Sequence, residues 1–133
     1  MLPYLDELKQ LNLPSKQYAI FGSGPLAIRG IREARDIDVL VKKDLWDSLA
    51  KIYPPNEKGN GLIIGHVEVF SQWEPFDVNV NELIDTAEII ENLPFVRMEY
   101  VIEWKKHVGR EKDKKDLELI EDYLKSDRTL KDS

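Results

Sequence analysis

No cysteine occurs in the 133 residues, and histidine occurs only twice, at 66 and 107. Disulfides, zinc-thiolate centres and cysteine nucleophiles are thereby excluded, and two distant histidines cannot build a His-x-x-x-His metal motif. Any metal would be a hard cation held by carboxylates. Long apolar runs are also missing. Stretches such as Val39-Leu40-Val41 and Leu62-Ile63-Ile64 are a few residues long, whereas a helix crossing a bilayer needs about 20. The first residues, Met1-Leu2-Pro3-Tyr4-Leu5, show neither the basic nor the apolar part of a leader. The expectation is a cytoplasmic protein with no membrane attachment. No Gly-Lys-Ser/Thr follows a glycine turn, so a P-loop is absent. Positive charge is scarce as well: 19 Lys and Arg face 25 Asp and Glu, a net −6. That balance argues against an extended nucleic-acid tract, because phosphate neutralisation needs clustered cations.

What is present reads as one mixed domain. Its length is close to the modal domain size and sufficient for a core without staples. Tyr4, Leu5, Leu8 and Leu11 predict a helix over 3–12. Tyr18-Ala19-Ile20-Phe21 reads as a buried strand, followed by the turn Gly22-Ser23-Gly24 and a helix from Pro25 to about Ile31. Asp36 to Lys42 is the clearest strand. Leu45, Leu49 and Ile52 mark a helix closed by Pro54-Pro55. Residues 62–70 predict one long strand or a pair kinked at Gly65. Leu83, Ala87 and Ile90 predict a helix over 80–92, with Glu82, Asp85, Glu88 and Glu91 on its wet face. Residues 95–98 read as a short strand or an extended link. Two helices follow, about 100–108 and 113–125, broken at Gly109. Strands interleaved with helices imply an α/β (α+β) domain over residues 1–126, with 127–133 as a polar tail. Trp46, Trp73 and Trp104 are expected in or near the core, and His66 and His107 as ordinary hydrogen-bonded side chains.

Three features bear on chemistry. Gly22-Ser23-Gly24 lies between a strand and a helix, where small residues let a ligand approach and N–H groups at the helix start suit phosphate; it is equally readable as a plain turn. Asp36 and Asp38 are two apart in a strand, so period-2 geometry puts both on one face, with Ile37, Val39 and Val41 on the other. Paired acids favour a cation between them; otherwise the strand begins at Ile37 and the acids are solvated at its mouth. Finally, residues 105–116 hold six basic and three acidic side chains, a local +3 on an acidic chain, suited to meeting phosphate. Lys112 and Asp116 alternatively form an i, i+4 surface pair.

Taken in order, Gly22-Ser23-Gly24-Pro25-Leu26-Ala27 followed by Asp36-Ile37-Asp38-Val39-Leu40-Val41 resembles the polymerase-β-type nucleotidyltransferase superfamily. The likeness covers residues 18–41. It implies a nucleotidyltransferase-like mixed sheet flanked by helices, with Gly22, Ser23 and Gly24 on the triphosphate. It also implies two Mg²⁺ ions, or Mn²⁺, on Asp36 and Asp38, and a third carboxylate on a neighbouring strand that acts as a ligand of the catalytic metal or as a base for the attacking hydroxyl. Glu68 is favoured for that role, with Asp77 as the alternative. Arg110-Glu111-Lys112-Asp113-Lys114-Lys115-Asp116-Leu117 resembles a helix start found in small members of the superfamily. Arg29, Lys112 and Lys115 are the expected phosphate cations. The chain departs from the family pattern at Glu33-Ala34-Arg35, where a Ser or Thr commonly precedes the acidic pair.

The function so implied is transfer of a nucleoside monophosphate, AMP from ATP, to an acceptor hydroxyl of unread identity. The other reading is a nucleotide-binding regulator, or an antitoxin-type partner of another protein, on the same fold without catalysis. Gly22-Ser23-Gly24-Pro25-Leu26-Ala27 also satisfies the G-x-G-x-x-A dinucleotide pattern. The acids that follow open the next strand, however, whereas the ribose-binding acid of that fold ends it.

Overall fold

The computed structural model describes residues 2–73 and 78–132. Their architecture is mixed α+β, with six helices and a six-stranded mixed sheet. Helix α1 (Leu5–Gln10) precedes strand β1 (Tyr18–Phe21), all four of whose residues are buried. The continuous apolar run is therefore that of a strand covered on both faces. Helix α2 (Gly24–Ala27) is shorter than expected. Gly30, at φ +74°, turns the chain, Gly30 N–H donates to Ala27 O at 3.0 Å, and Ile31 N–H donates to Leu26 O at 3.0 Å. This is a Schellman ending, in which a left-handed glycine satisfies the last carbonyls.

Strand β2 (Ile37–Val41) follows, then helix α3 (Lys43–Ala50). Strands β3 (Leu62–Ile64) and β4 (Val67–Phe70) form a hairpin, with Ile64 paired to Val67 across Gly65 and His66. Gly65, at φ +62°, takes the conformation that a two-residue hairpin turn demands. A turn thus replaces the kink or single long strand.

The helix predicted over 80–92 is corrected. Helix α4 (Val80–Asp85) stops after six residues, and strand β5 (Glu88–Ile90) pairs antiparallel with β6 (Leu93–Phe95). Glu91 and Asn92 both have positive φ, as a tight hairpin turn requires, and Ile89 and Ile90 are β-branched. Leu83, Ala87 and Ile90 fit helical spacing, but hairpin chemistry decides the outcome. Of the four acids assigned to a helix face, Glu88 is on β5 and Glu91 in the turn. Helices α5 (Met98–Val108) and α6 (Glu111–Asp132) complete the chain, and α6 runs through residues expected to form a tail.

The sheet order is β3-β4-β2-β1-β6-β5. β1 runs antiparallel to β2 and parallel to β6, while β2 runs parallel to β4. One face carries Ile20, Ile37, Val39 and Val67 with Leu8 of α1 and Leu49 of α3. The other carries Ala19, Phe21 and Leu40 with Leu83 of α4, Val101 of α5 and Ile120 of α6. Helices therefore cover both faces. Trp73 is buried, and Trp46 and Trp104 are half-buried against the two cores. His66 anchors α1: its N–H donates to Glu7 Oε1 at 2.8 Å and its ring stacks on Tyr4 at 3.9 Å. No described helix is long and apolar enough to cross a membrane.

Helix α6 is docked through buried charge. Lys105 on α5 is 3% exposed and its Nζ lies 2.9 Å from Asp116 Oδ2 and 3.6 Å from Asp113 Oδ1. Arg110 reaches Asp113 through Nε and its backbone N–H, and Arg32 Nη1 meets Asp116 at 2.7 Å. Burial pushes the Asp113 carboxyl up, but the Arg110 hydrogen bonds and the Arg110 and Lys105 charges outweigh it and hold the group below its ordinary value. The i, i+4 pair suggested for Lys112 is replaced, since Asp116 points inward. Removing one partner of such a cluster strands the rest. Lys105→Ala is expected to lower unfolding free energy by about 3–5 kcal/mol, while Lys43→Ala, at the exposed Lys43–Asp47 pair, should change it by under about 0.5 kcal/mol. Urea titration measures both.

Candidate functional site

The sheet places the first two acids differently. β2 begins at Ile37, leaving Asp36 exposed just ahead of it, whereas Asp38 lies inside the strand. Asp38 is the partner of Phe21 across the antiparallel β1–β2 pair and of Glu68 across the parallel β2–β4 pair. In register on adjacent strands, Asp38 and Glu68 have backbones about 5 Å apart and side chains on one face. Burial, then the charge of Glu68, then that of Asp36 push the Asp38 carboxyl up to about 6. No cation is bonded to it among the described residues. The strand-mouth alternative holds for Asp36 and fails for Asp38.

Gly22 closes in on this carboxylate. It has φ +66°, and a Cβ there would lie 3.0 Å from Asp38 Oδ2. Both backbone conformation and space therefore call for glycine. Gly24 differs, because a Cβ there would collide with Ile20 Cγ2. It is buried and serves the packing of α2 on β1. Ser23 precedes α2 without a capping hydrogen bond from its side chain.

A cleft of about 760 Å³ is lined by Asp36, Asp38, Glu68, Ser23, Arg32, Arg35 and Lys112, among others. Residues from the α2–β2 loop, β2, β4 and the first turn of α6 thus converge. Lys112 is brought in because Asp113 and Asp116 anchor α6. Two other expected cations are not. Arg29 donates to Pro25 O at 2.7 Å and pairs with Glu88, so its guanidinium braces α2 against β5. Lys115 is exposed and does not line the cleft. Arg35, at the position where the family pattern departs, does. Asp77 lies outside the described residues.

Glu68 has a partner that sequence reasoning missed. Asn56 Nδ2 donates to Glu68 Oε2 at 2.6 Å, and Asn56 Oδ1 accepts from the N–H groups of Asn60 at 3.1 Å and Gly61 at 3.3 Å. The run Asn56 to Gly61 reads as turn residues, and asparagine commonly bonds backbone within its own loop. Nothing in that composition marks a contact with β4. Beside the carboxylates, a recess of about 180 Å³ is walled by Phe21, Phe70, Trp73 and Trp104. Trp104 Nε1 is buried without a hydrogen-bond partner among the described residues.

Among the described residues, no three His, Asp or Glu side chains are gathered to hold an ion. The donor set suits a cation bound through one or two carboxylates, with water and substrate phosphate completing the shell, as Mg²⁺ prefers. No family model, curated protein or solved structure matches the chain.

Raised above its unfolded value, Asp38 binds its proton more tightly in the folded state, so its ionisation opposes folding. That penalty is absent below about pH 4, grows as pH rises towards 6 and is complete above. Asp38→Asn is therefore expected to be more stable than the parent by roughly 2–3 kcal/mol at pH 7.5 and about equal near pH 4. Denaturation in chelator-treated buffer at both pH values measures the difference.

Proposed function

We propose that the chain is a nucleotidyltransferase that moves AMP from ATP to an acceptor hydroxyl. The observation carrying this reading is the register of Asp38 with Glu68, beside Asp36, in a cleft that Ser23, Arg32, Arg35 and Lys112 also line. One cleft thus offers acids for a divalent cation and cations for a polyphosphate. The order strand, Gly22-Ser23-Gly24 turn, short helix and acidic strand supports a nucleotidyltransferase-like fold, and so does the mixed sheet.

Asp36 and Asp38 would hold Mg²⁺, or Mn²⁺, which when bound lowers the pKa of the attacking hydroxyl and neutralises the departing pyrophosphate. Arg35 and Lys112 bind the β- and γ-phosphates, and the Ser23 hydroxyl orients them. Glu68, steadied by Asn56, takes the proton from the acceptor hydroxyl as its oxygen attacks the α-phosphorus and the bond to the β-phosphate breaks. Arg32, already paired with Asp116, contributes field more than contact.

Asp36→Asn and Asp38→Asn are each expected to cut transfer more than about 100-fold, the loss of a few kcal/mol of charge stabilisation, with circular dichroism unchanged. The measurement is incorporation from α-phosphate-labelled ATP and Mg²⁺ into acceptors of a cell extract. Equal labelling by the double variant would sink the reading. Calorimetry with a non-hydrolysable ATP analogue identifies the other outcome, binding without transfer, which fits a regulator on the same fold.

A further inference from the structure

Glu68 lines two clefts: the one that holds the carboxylates and phosphate cations, and a second, of about 620 Å³, lined also by Asn56, Asn60, Ile63, Phe70, Glu57 and Lys58. We propose that this second cleft is the acceptor site, and that it takes a small, multiply hydroxylated ring carrying no negative charge, with an amine-bearing ring bound best. The assignment of an acceptor rests on the transferase reading above.

The wall of the cleft is a built structure. Asn56 ties the loop to Glu68, accepts from two backbone N–H groups, and donates to Asn60 Oδ1 at 2.8 Å. Gly61 is buried, and a Cβ there would lie 2.9 Å from Asn56 Nδ2, Phe70 Cε1 and Val69 O, so the close packing calls for glycine. The loop is consequently packed closely on β4 beside Glu68. With the Asn56 amide already engaged, Asn60 is the recognition residue: its Oδ1 accepts from Asn56, and its side-chain N–H groups donate to no described residue.

The lining chemistry selects the ligand. Amide and carboxylate groups exchange hydrogen bonds with hydroxyls, and Phe70 and Ile63 offer an apolar floor to the C–H face of a ring. Glu57 and Glu68 outnumber Lys58 in the lining, so a carboxylate or phosphate is repelled and an ammonium attracted. The volume suits a small molecule. A hydroxyl held here meets Glu68, the residue that the two clefts share.

Glucosamine, glucose and glucuronate are matched probes of one ring size and three charges. Titrated into the isotopically labelled full chain, they are expected to shift the signals of Asn56, Asn60 and Phe70. Glucosamine should bind at least about fivefold more tightly than glucuronate, and Asn60→Leu should weaken it about tenfold, the loss of a hydrogen-bond pair. Equal or tighter binding of glucuronate, or no shifts from any probe up to about 50 mM, overturns the proposal. A separate titration with Mg²⁺ and a non-hydrolysable ATP analogue, read at Ser23, Arg35 and Lys112, distinguishes the two failures. Nucleotide binding without hexose binding overturns the acceptor class alone. Hexose binding without nucleotide binding overturns the transferase reading and, with it, the acceptor role.

Discussion

Charge repulsion between Asp38 and Glu68, paired in register on adjacent parallel strands with Asp36 at the strand entrance, is the constraint around which the site is arranged. Ionised carboxylates so close and partly desolvated oppose folding unless something compensates. Two local features accommodate them. Gly22 leaves the space that Asp38 Oδ2 occupies, and Asn56 donates to one oxygen of Glu68. Neither cancels charge. What remains is a negative centre best neutralised by a cation, beside basic groups that a cation alone does not explain. Acids next to cations that stay unpaired with them suit a ligand carrying both metal and phosphate.

Those basic groups are held by a second cluster whose own charges are consumed. Lys105, Arg110 and Arg32 satisfy Asp113 and Asp116 where α5, α6 and the α2–β2 loop meet. Because this cluster is buried, α6 sits in one orientation, and Lys112 on its exposed side lines the cleft. The local +3 therefore divides into charges spent on docking and charges available to a ligand. The net −6 says little about the cleft, where acids and bases are sorted over a few ångströms.

The legible parts of the fold are those in which local signals agree. Tyr18 to Phe21 and Ile37 to Val41 are apolar, β-branched or aromatic runs bounded by turn residues, and both are central strands. Gly109 breaks the final helices as its left-handed conformation dictates. Residues 80–92 misled because Leu83, Ala87 and Ile90 satisfy a helical period while Glu91 and Asn92 carry a turn signal that only pairing with β6 exposes. The site divides similarly. Asp38 and its glycine turn follow from order along the chain, whereas Arg29, close to that turn in sequence, is drawn away by Glu88, 59 residues on.

By itself, the sequence determined the exclusion of thiol and histidine-rich chemistry, the mixed class of the domain, and the strand–turn–helix–strand segment that carries two acids. These follow from residue identity and short-range periodicity, which sterics and solvation impose locally. Tertiary structure alone decided the register that sets Glu68 against Asp38, that Arg35 lines the cleft while Arg29 and Lys115 do not, and that Asn56 steadies Glu68. Each of these depends on strand register or helix docking, set by long-range pairing and buried charge, and no window along the chain contains both partners.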